Sequence, residues 1–334
     1  MKFTVVIATC DRPLRLARGL KALEEAIAVS GEGHRIVVAD NGPQHTAAGV
    51  VESFAERSFV PVEYLQTAPR DKSQALNAGI RAAETDWLAF TDDDTLPDAN
   101  WLKNAAEYAE RTGLRVFAGR IVPGPPDKRL PRWLTPGRSG RVPRAGVLVD
   151  YAPMPASGVL DNEMPVPFGA NVFVRRAVFE EHGYYDEYLW SLCGKKALGV
   201  EDGEFGVRIR SRGEPIGYSH EAVVVHPVHH DRCRLWIQIR IAYAYGWREP
   251  FVFFDAARPA IQPYLLRLAA VYLFRAAADL FRRDYAGAAD GLVEAARCKG
   301  AILGRLSPKY RWRARQIAEA ARRKEAEKPS RPEK

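Results

Sequence analysis

Three consecutive aspartates, Asp92, Asp93 and Asp94, follow an apolar run at residues 87–90 (WLAF). The run predicts a buried strand whose end carries the three carboxylates. Carboxylates at one strand tip repel one another, and their removal from water is costly unless a cation compensates. A divalent ion that prefers oxygen ligands, Mg²⁺ or Mn²⁺, would supply that compensation. Because alternate residues of an extended segment point the same way, Asp92 and Asp94 can converge while Asp93 faces elsewhere. A solvated acidic turn that caps a helix beginning near Asp98 would explain the same residues.

Alternating strand and helix patterns around this motif predict an open α/β sheet with right-handed crossovers. The β-branched run at residues 3–9 (FTVVIAT) is typical of a strand buried on both faces of a parallel sheet. Further strands are predicted at residues 35–39 and 62–65, and helices from near residues 13, 47 and 73. Ligands of such sheets bind beyond the carboxyl ends of strands. Asp11, Asp40 and Asp92 each follow such an end, as one nucleotide and metal site would require, although three surface turns would give the same pattern.

Two segments have the composition of irregular structure. Ten of the 23 prolines fall within residues 123–167, and we interpret this stretch as an insertion over the site that lines its acceptor side. Residues 189–200 (LWSLCGKKALGV) contain glycine and lysine and are interpreted as a mobile loop.

A second acidic cluster begins at Glu201 and Asp202. Phe205 and Ile209 have helical spacing, which places both acids in the first turn of a predicted helix, where the helix dipole favours negative charge. The pattern fits catalytic carboxylates, and it equally fits the capping acids of an ordinary helix.

Three histidines, His226, His229 and His230, follow a strand predicted at residues 222–225. A lone histidine is more often structural, but a cluster past a strand end suggests a metal ligand. Pro227 would hold His226 in an extended conformation, and with two aspartates already available His226 becomes a candidate third ligand.

Composition limits the class of protein. The net charge of the 334 residues is +8, of which +7 lies between Arg305 and the end, so the rest of the chain is close to neutral. This argues against a nucleic-acid groove in the main body and leaves an acidic partner or an anionic membrane surface for the tail. The chain shows neither an uncharged apolar span of membrane length nor a secretory signal, which predicts a cytoplasmic protein. The four scattered cysteines fit neither a zinc site nor a disulfide framework.

The C-terminal third has helical periodicity. Residues 265–285 are predicted to form an amphipathic helix, with packing against the body, packing against another subunit, or contact with a membrane interface as its possible roles. On a helical wheel the charged arc contains Arg267, Arg275, Asp279, Arg282 and Arg283, and the apolar side contains Leu265, Ala269, Tyr272, Leu273, Ala276 and Leu280. The chain from residue 324 onward is predicted to be disordered.

Seven motifs in order resemble a known family over residues 3 to 230. They are VVIATCDRP, VVADNGP, LNAGI, AFTDDDTLP, FGANVFVRR, GVEDGEFGVRIR and VVVHPVHH. Together they resemble the inverting glycosyltransferases of family 2. The resemblance implies an α/β GT-A fold, the Rossmann-like mixed sheet of nucleotide-diphospho-sugar transferases, with a C-terminal helical extension. The implied division is a transferase domain at 1–235, with a nucleotide-binding part at 1–120 and an acceptor-side part at 121–235, then a helical region at 236–308 and a basic, partly disordered tail at 309–334.

The resemblance also implies roles for individual residues. Asp202 corresponds to the catalytic base, with Glu201 beside it. Asp92 and Asp94 would hold the metal, with His226 as a further ligand. The donor nucleotide and diphosphate would be bound by Thr9, Asp11, Arg12, Asp40, Lys72, Asn77, Asp92 and Asp93, with Asp40 accepting from the base. Two positions depart from the family pattern, Leu76 where arginine is common and Pro43 where serine is common, and Arg70 or Lys72 would compensate for the first.

The implied activity is metal-dependent, inverting transfer of a sugar from a nucleotide-diphosphate sugar, most naturally a UDP-sugar, with Mn²⁺ or Mg²⁺. The acceptor would be a hydroxyl of a glycan, a lipid-linked glycan or a small molecule, and no nucleic acid is expected as a partner. Residues 264–334 could contact a membrane surface, which would make the protein peripheral on the inner face of the membrane, and a homo-oligomer is possible. Two alternatives are a nucleotidyltransferase, which the glycine-free loop ATCDRP disfavours, and a non-catalytic protein that binds sugar nucleotides.

Overall fold

The computed structural model describes residues 1–126, 128–143, 148–193, 200–252 and 262–316. The chain forms two compact units, and their bounds differ from the predicted domains. The sheet unit comprises Met1–Arg129, Gly146–Ser191 and Gly199–Arg232, and the helical unit comprises Leu130–Ala145, Leu192–Leu198 and Cys233–Lys334. The predicted domain division, including the tail at 309–334, stays a prediction.

Nine strands of the described residues form one mixed sheet. They are β1 (Phe3–Thr9), β2 (Arg35–Asp40), β3 (Val62–Gln66), β4 (Trp87–Thr91), β5 (Leu96–Pro97), β6 (Val116–Pro126), β7 (Gly158–Val159), β8 (Asn171–Arg175) and β9 (Ile216–Val228). Their order is β3-β2-β1-β4-β8-β6-β9-β5, and β7 pairs with β9. The helices are α1 (Pro13–Ser30), α2 (Ala48–Ala55), α3 (Lys72–Ala82), α4 (Trp101–Thr112), α5 (Arg176–His182), α6 (Tyr188–Cys193), α7 (Val200–Ser211), α8 (Leu235–Val252), α9 (Pro263–Phe281) and α10 (Tyr285–Leu306).

The order of the strands positions the candidate site. Strands β3, β2, β1 and β4 are mutually parallel, so their carboxyl ends lie at one edge of the sheet. Thr9 is paired with Asp40 at this edge, and β4 beside them leads into the three aspartates. Strand β8 is antiparallel to both of its neighbours, β4 and β6, which makes the sheet mixed.

Burial of apolar side chains on both faces holds the sheet unit together. Every residue of β1 is buried, as the continuous β-branched run predicts. Phe117 and Phe173 stack with their ring centroids 4.8 Å apart, and Phe3 and Trp101 pack against Phe173. Each fully buried side chain of this kind contributes about 1.5–3 kcal/mol by leaving water.

Two segments expected to be irregular begin as regular structure. Strand β6 continues to Pro126, and its register with β9 shifts between Pro123 and Pro126, which accommodates prolines that cannot donate to the ladder. Residues 188–193 form α6, in which Leu189 and Cys193 are buried at helical spacing. The rest of the expected mobile loop, residues 194–199, lies outside the described residues.

Glycines bring the helices of the helical unit into close contact. A Cβ on Gly246 of α8 would collide with the carbonyl oxygen of Arg297 of α10. Gly300 and Gly304, one turn apart on α10, approach the carbonyl oxygens of Tyr243 and Trp247 in the same way. Because these positions lack a side chain, the two helix backbones pack directly against each other.

The helical wheel predicted for residues 265–285 is wrong in part. The helix ends at Phe281, and Asp284 caps α10 by accepting from the backbone N–H of Gly287. Asp279 is buried because Arg141 pairs with it, whereas Leu273 and Leu280 are exposed. Among the described residues, the structure contains no helix with the length and apolar character needed to cross a membrane. Residues 324–334, predicted to be disordered, lie outside the described residues.

Candidate active site

The three aspartates at the end of β4 diverge because a tight turn follows the strand. The backbone N–H and hydroxyl of Thr95 both donate to the carbonyl oxygen of Asp92, at 3.3 and 2.8 Å, and fix the turn. Asp93 points toward the end of β1, where it accepts from the Thr9 hydroxyl at 2.7 Å and pairs with Arg12 at 2.8 Å. Burial raises the pKa of Asp93 to about 6, although the charge of Arg12 opposes this change. Asp93 therefore joins two strand ends, whereas Asp92 and Asp94 lie beside His226.

Asp92, Asp94 and His226 form a cluster with one ligand atom from each residue, and these atoms all lie within 4.8 Å of one another. The Asp94 Oδ1 to His226 Nε2 distance is 3.8 Å. His226 lies on β9, and burial lowers its pKa, which favours the neutral imidazole that binds metals. Two carboxylates and a neutral imidazole fit Mn²⁺, and the carboxylates also suit Mg²⁺.

The second oxygen of Asp94 is surrounded by cationic side chains and an imidazole. Its Oδ2 atom lies 3.1 Å from His229 Nε2 and 3.2 and 3.3 Å from the guanidinium groups of Arg12 and Arg15. Arg232 lies at 3.9 Å. Burial opposes ionisation of Asp94, but the hydrogen bond from His229 and the charge of Arg12 outweigh it and lower the pKa. Oδ1 thus faces His226, and Oδ2 is held by the surrounding donors.

Lys72 connects the strand tip to α7. Its ammonium Nζ lies 2.9 Å from Asp92 Oδ1 and 3.2 Å from Glu201 Oε1. Lys72 is the first residue of α3, whose N-terminus is capped by the Asp71 carboxylate accepting from Gln74 N–H at 3.0 Å. Burial would lower the pKa of Lys72, but the charges of Asp92 and Glu201 raise it well above its ordinary value. The ammonium is therefore charged, and it holds two acidic segments together that are more than a hundred residues apart in the chain.

The first turn of α7 orients the two acidic side chains differently. Glu201 is buried and faces Lys72. The half-buried Asp202 accepts from the backbone N–H of Gly169 at 2.9 Å and of Gly203 at 2.7 Å. Phe205 is buried below them, as its helical spacing predicts. Backbone donors thus fix the orientation of the Asp202 carboxylate.

Asp11, which follows β1, and Asp40, the last residue of β2, both contact the turn after β2. Asp11 has a positive φ of 49°, and its Oδ1 accepts from Gln44 N–H at 3.2 Å. A Cβ on Gly42 would collide with the Asp11 side chain, so this close approach requires glycine. Asp40 is fully buried, and its carboxylate accepts from Gly42 N–H at 2.8 Å and from the Tyr64 hydroxyl at 3.0 Å. The carboxylate of Asp40 thus stabilises the turn that follows its own strand. Contact of Asp40 with a nucleotide base stays a prediction.

Asn77 belongs to a hydrogen-bond network separate from the cluster of Asp92, Asp94 and His226. Its buried amide donates to the carbonyl oxygen of Tyr185 at 2.9 Å and to Glu187 at 2.8 Å, and it accepts from Tyr185 N–H at 3.0 Å. These bonds tie α3 to the segment after α5, and a role of Asn77 in donor binding stays a prediction.

Sequence reasoning did not assign Arg15, His229 and Arg232 to the site. Arg15 is three residues after Arg12, so a helix beginning at Pro13 places it one turn further on the same side. His229 was visible as part of the histidine cluster, whereas Arg232 carried no signal of its own.

A second acidic and histidine group is present on the sheet unit. Glu181, His182 and Glu214 bring one possible ligand atom each within 4.8 Å of one another. Arg115 pairs with both glutamates, at 2.7 Å for Glu181, so a cation of the chain itself compensates this group. The cluster at Asp92, Asp94 and His226 is the stronger candidate metal site of the described residues, because it lies at the carboxyl end of β4, where ligands of such sheets bind.

Comparison with known sequences assigns a family model. The model described as "Glycosyl transferase family 2" matches residues 4–183. The chain is also 29% identical over 237 residues to the "Succinoglycan biosynthesis protein ExoM" of Rhizobium meliloti (strain 1021), which covers 70% of each protein.

Solved structures share the fold at low sequence identity. The mannosyltransferase PcManGT from Pyrobaculum calidifontis, solved with GDP-Man and Mn²⁺, matches with a TM-score of 0.57 and 18% identity, over 88% of this chain and 85% of that one. Residues 1–349 of S. aureus TarS, solved with UDP-GlcNAc, match with a TM-score of 0.50 and 13% identity, over 86% and 90% of the two chains.

Proposed function

The chain belongs to glycosyl transferase family 2, and on that premise we propose that it is a metal-dependent inverting glycosyltransferase that uses a nucleotide-diphosphate sugar, most naturally a UDP-sugar. Family membership and the succinoglycan biosynthesis relative support glycosyl transfer in glycan synthesis. We add three points to that statement: the metal dependence, the donor nucleotide and the inversion of the anomeric centre.

One observation carries the proposal. The cluster of Asp92, Asp94 and His226 lies beside the first turn of α7, because Lys72 contacts both Asp92 and Glu201. A metal-ligating group and a carboxylate fixed by backbone donors are the two parts that transfer of a sugar from a diphosphate requires.

Asp92, Asp94 and His226 would hold the divalent ion. An ion held there would supply positive charge to neutralise the leaving diphosphate. The guanidinium groups of Arg12 and Arg15 border the same cluster and offer donors suited to phosphate oxygens. A UDP donor is consistent with the TarS complex, and the PcManGT complex contains GDP-Man and Mn²⁺.

Asp202 is the proposed base. Its carboxylate takes the proton of the acceptor hydroxyl as the oxygen attacks the anomeric carbon from the face opposite the diphosphate. The bond from the anomeric carbon to the diphosphate oxygen breaks in the same displacement, so the configuration inverts. The N–H groups of Gly169 and Gly203 keep the base oriented, and Glu201 acts through Lys72 rather than on the substrate.

The acceptor that we propose is a hydroxyl of a growing glycan. The relative in succinoglycan biosynthesis supports a polysaccharide precursor over a small natural product.

The test is a donor screen by thermal shift. UDP-sugars and GDP-sugars are added to the purified full chain with Mn²⁺, with Mg²⁺ and with EDTA. A donor that binds the folded state raises the melting temperature in proportion to the logarithm of its concentration relative to Kd. We expect a UDP-sugar to raise the melting temperature only when the metal is present. We also expect that donor to release UDP slowly. Stabilisation by GDP-sugars alone would make a GDP-sugar, not a UDP-sugar, the proposed donor. Stabilisation and turnover without metal would remove the metal from the proposal.

A further inference from the structure

Helix α9 of the helical unit carries an exposed apolar stripe. Its two most exposed large side chains are Phe281 and Phe274, which are 91% and 76% accessible to solvent. With 3.6 residues per turn, they share an arc of roughly 120° with exposed residues of the same helix. These residues are Leu266, Ala270, Leu273, Ala277 and Leu280.

The opposite side of α9 is already packed within the helical unit. Leu265 and Ala276 are buried, and Asp279 is paired with Arg141. The exposed stripe is therefore not the face that stabilises the unit. Monomeric soluble proteins rarely expose a contiguous apolar area of this kind without a function for it.

A groove extends the stripe toward α10. Its volume is about 570 Å³, and Leu273 and Leu280 of α9 face Tyr285 and Leu292 of α10 across it. Trp133 and Leu235 complete the apolar lining, and Arg132 is the charged residue among those that line it.

Positive charge lies along one side of the same helix. Arg275 follows Phe274, and Arg282 and Arg283 follow Phe281, all three of them exposed. Arg267, also exposed, lies two turns from Phe274 on the same face. Arg267 thus borders the stripe, whereas Arg275 and Arg282 lie further round the helix.

The charge of the whole chain is divided between the two units. The sheet unit contains 22 Lys and Arg and 31 Asp and Glu, a net charge of −9, and the helical unit contains 27 and 10, a net charge of +17. The sequence-based view that basicity belongs to the tail alone is therefore incomplete. The excess extends through the whole helical unit.

We propose that the exposed stripe of α9, with its flanking arginines, binds the surface of an anionic lipid bilayer. The phenylalanines and leucines would enter the interface between headgroups and acyl chains, Arg267 would contact lipid phosphates, and the remaining arginines would add electrostatic attraction. The helix would lie along the surface, and the groove beside Leu273 would accept an acyl chain.

The positive charge of the helical unit favours an anionic bilayer over a second copy of the chain as the partner of the stripe. A two-fold dimer through the stripe would bring the α9 arginines of the two copies closer together, and two helical units of +17 each would repel. An anionic bilayer removes both penalties, since it supplies negative charge along its whole surface.

The test is flotation of the full chain with vesicles, without sugar nucleotide or added metal. Vesicles of phosphatidylcholine alone are compared with vesicles that contain about 30 mol% phosphatidylglycerol. We expect binding to the anionic vesicles that weakens strongly between about 0.1 M and 1 M salt. Because no catalysis is involved, the result is independent of the proposed transferase activity.

Three variants, each checked for an unchanged melting curve, locate the surface. Phe274→Ser combined with Phe281→Ser should lower the vesicle partition coefficient by on the order of tenfold or more. Reversal of Arg267, Arg275 and Arg282 to Glu should lower it by on the order of a hundredfold. Phe59→Ser removes a phenylalanine of the sheet unit that is 63% exposed, and it should leave partitioning unchanged.

Several outcomes overturn the proposal. The wild type could fail to bind anionic vesicles, or it could bind both kinds of vesicle equally. Phe59→Ser could also lose as much vesicle binding as the α9 phenylalanine variant. A concentration-dependent dimer on gel filtration that the α9 phenylalanine variant dissociates would instead assign the stripe to self-association.

Discussion

Lys72 of α3 and Glu201 of α7 form an ion pair with 3.2 Å between Nζ and Oε1. The same ammonium contacts Asp92 at 2.9 Å, so it holds the first turn of α7 against the end of β4. Asp202 is the next residue on α7, and its placement depends on this link. In the proposed mechanism Glu201, which the family resemblance placed beside the base Asp202, acts as a positioning residue, and its catalytic role stays a prediction.

We expect Glu201→Gln to affect both donor binding and turnover. Loss of the charge frees Lys72 from α7, and the resulting displacement should cost on the order of tenfold to a hundredfold in kcat/KM. The combined variant Glu201→Gln with Lys72→Gln should cost less than the product of the two single changes, because both remove the same link. Steady-state kinetics with the best donor measure this, and independent, multiplying effects would contradict it.

Asp202→Asn should act on kcat alone. The amide retains the shape of the carboxylate but cannot accept the proton, so turnover should fall by on the order of 10² to 10⁴ while the donor-induced thermal shift persists. Glu204→Gln is the matched control, since Glu204 lies on the same helix and pairs with Arg208 at 2.9 Å. Near-wild-type turnover in Asp202→Asn, or an equal loss in the control, would exclude Asp202 as the base.

The metal prediction concerns His226. With EDTA the wild type should lose its donor-induced thermal shift, and Mn²⁺ should restore it. For His226→Gln, the Mn²⁺ concentration that restores half of the shift should rise by at least about tenfold, the low end for disturbed metal sites. His220→Gln serves as the control, because His220 lies on the same strand and contacts Arg120 at 3.0 Å, outside the cluster. An undiminished shift in EDTA would show that donor binding needs no metal.

The aspartates at the ends of the parallel strands are the part of the site that the sequence predicts. Asp40 ends β2, and Asp11 and Asp92 follow β1 and β4, where β1 is the parallel neighbour of both other strands; apolar runs in the sequence predicted these strands. The expected GT-A fold with C-terminal helices is confirmed by the mixed sheet and by the solved glycosyltransferases that share it. The histidine cluster made His226 a candidate partner of the aspartates, and the family resemblance supported the same ligand, although more than a hundred residues separate His226 from Asp94.

The rest depends on contacts that local patterns do not report. Asp279 looks like a surface charge on a helical wheel, but Arg141, 138 residues earlier, reaches it and covers that side of α9. Asp40 looks like a free acceptor, yet the hydroxyl of Tyr64 on the neighbouring strand occupies part of its capacity. In both cases a partner distant in sequence decides which face or atom remains available.

Gly300→Ala should destabilise the helical unit. The added methyl group would collide with the carbonyl oxygen of Tyr243, so α8 and α10 must separate, at a cost of about 1–3 kcal/mol. Gly49→Ala, in α2, is the control, because a Cβ there meets no atom within 4 Å and alanine should be neutral or stabilising by up to about 1 kcal/mol. Urea unfolding followed by circular dichroism measures both, and equal midpoints for Gly300→Ala and the wild type would contradict the close packing.

Asp284 should stabilise the helical unit in a pH-dependent way. Its carboxylate accepts from Gly287 N–H at 2.9 Å, capping α10, and from Ser139 N–H at 2.7 Å, and these bonds lower its pKa. A lowered pKa in the folded state means that the contribution is complete above the unfolded value of about 3.9 and is lost as the pH falls through the folded value. Asp284→Ala should therefore lower the free energy of unfolding by about 1 kcal/mol at neutral pH, and the difference from the wild type should shrink below about pH 4. Asp284→Asn keeps a neutral acceptor at the cap, so it should retain most of the stability without that pH dependence. Urea titrations of the three proteins between neutral pH and about pH 3 test this, and a difference that grows on acidification would mean that the carboxylate does not act as an ionised cap.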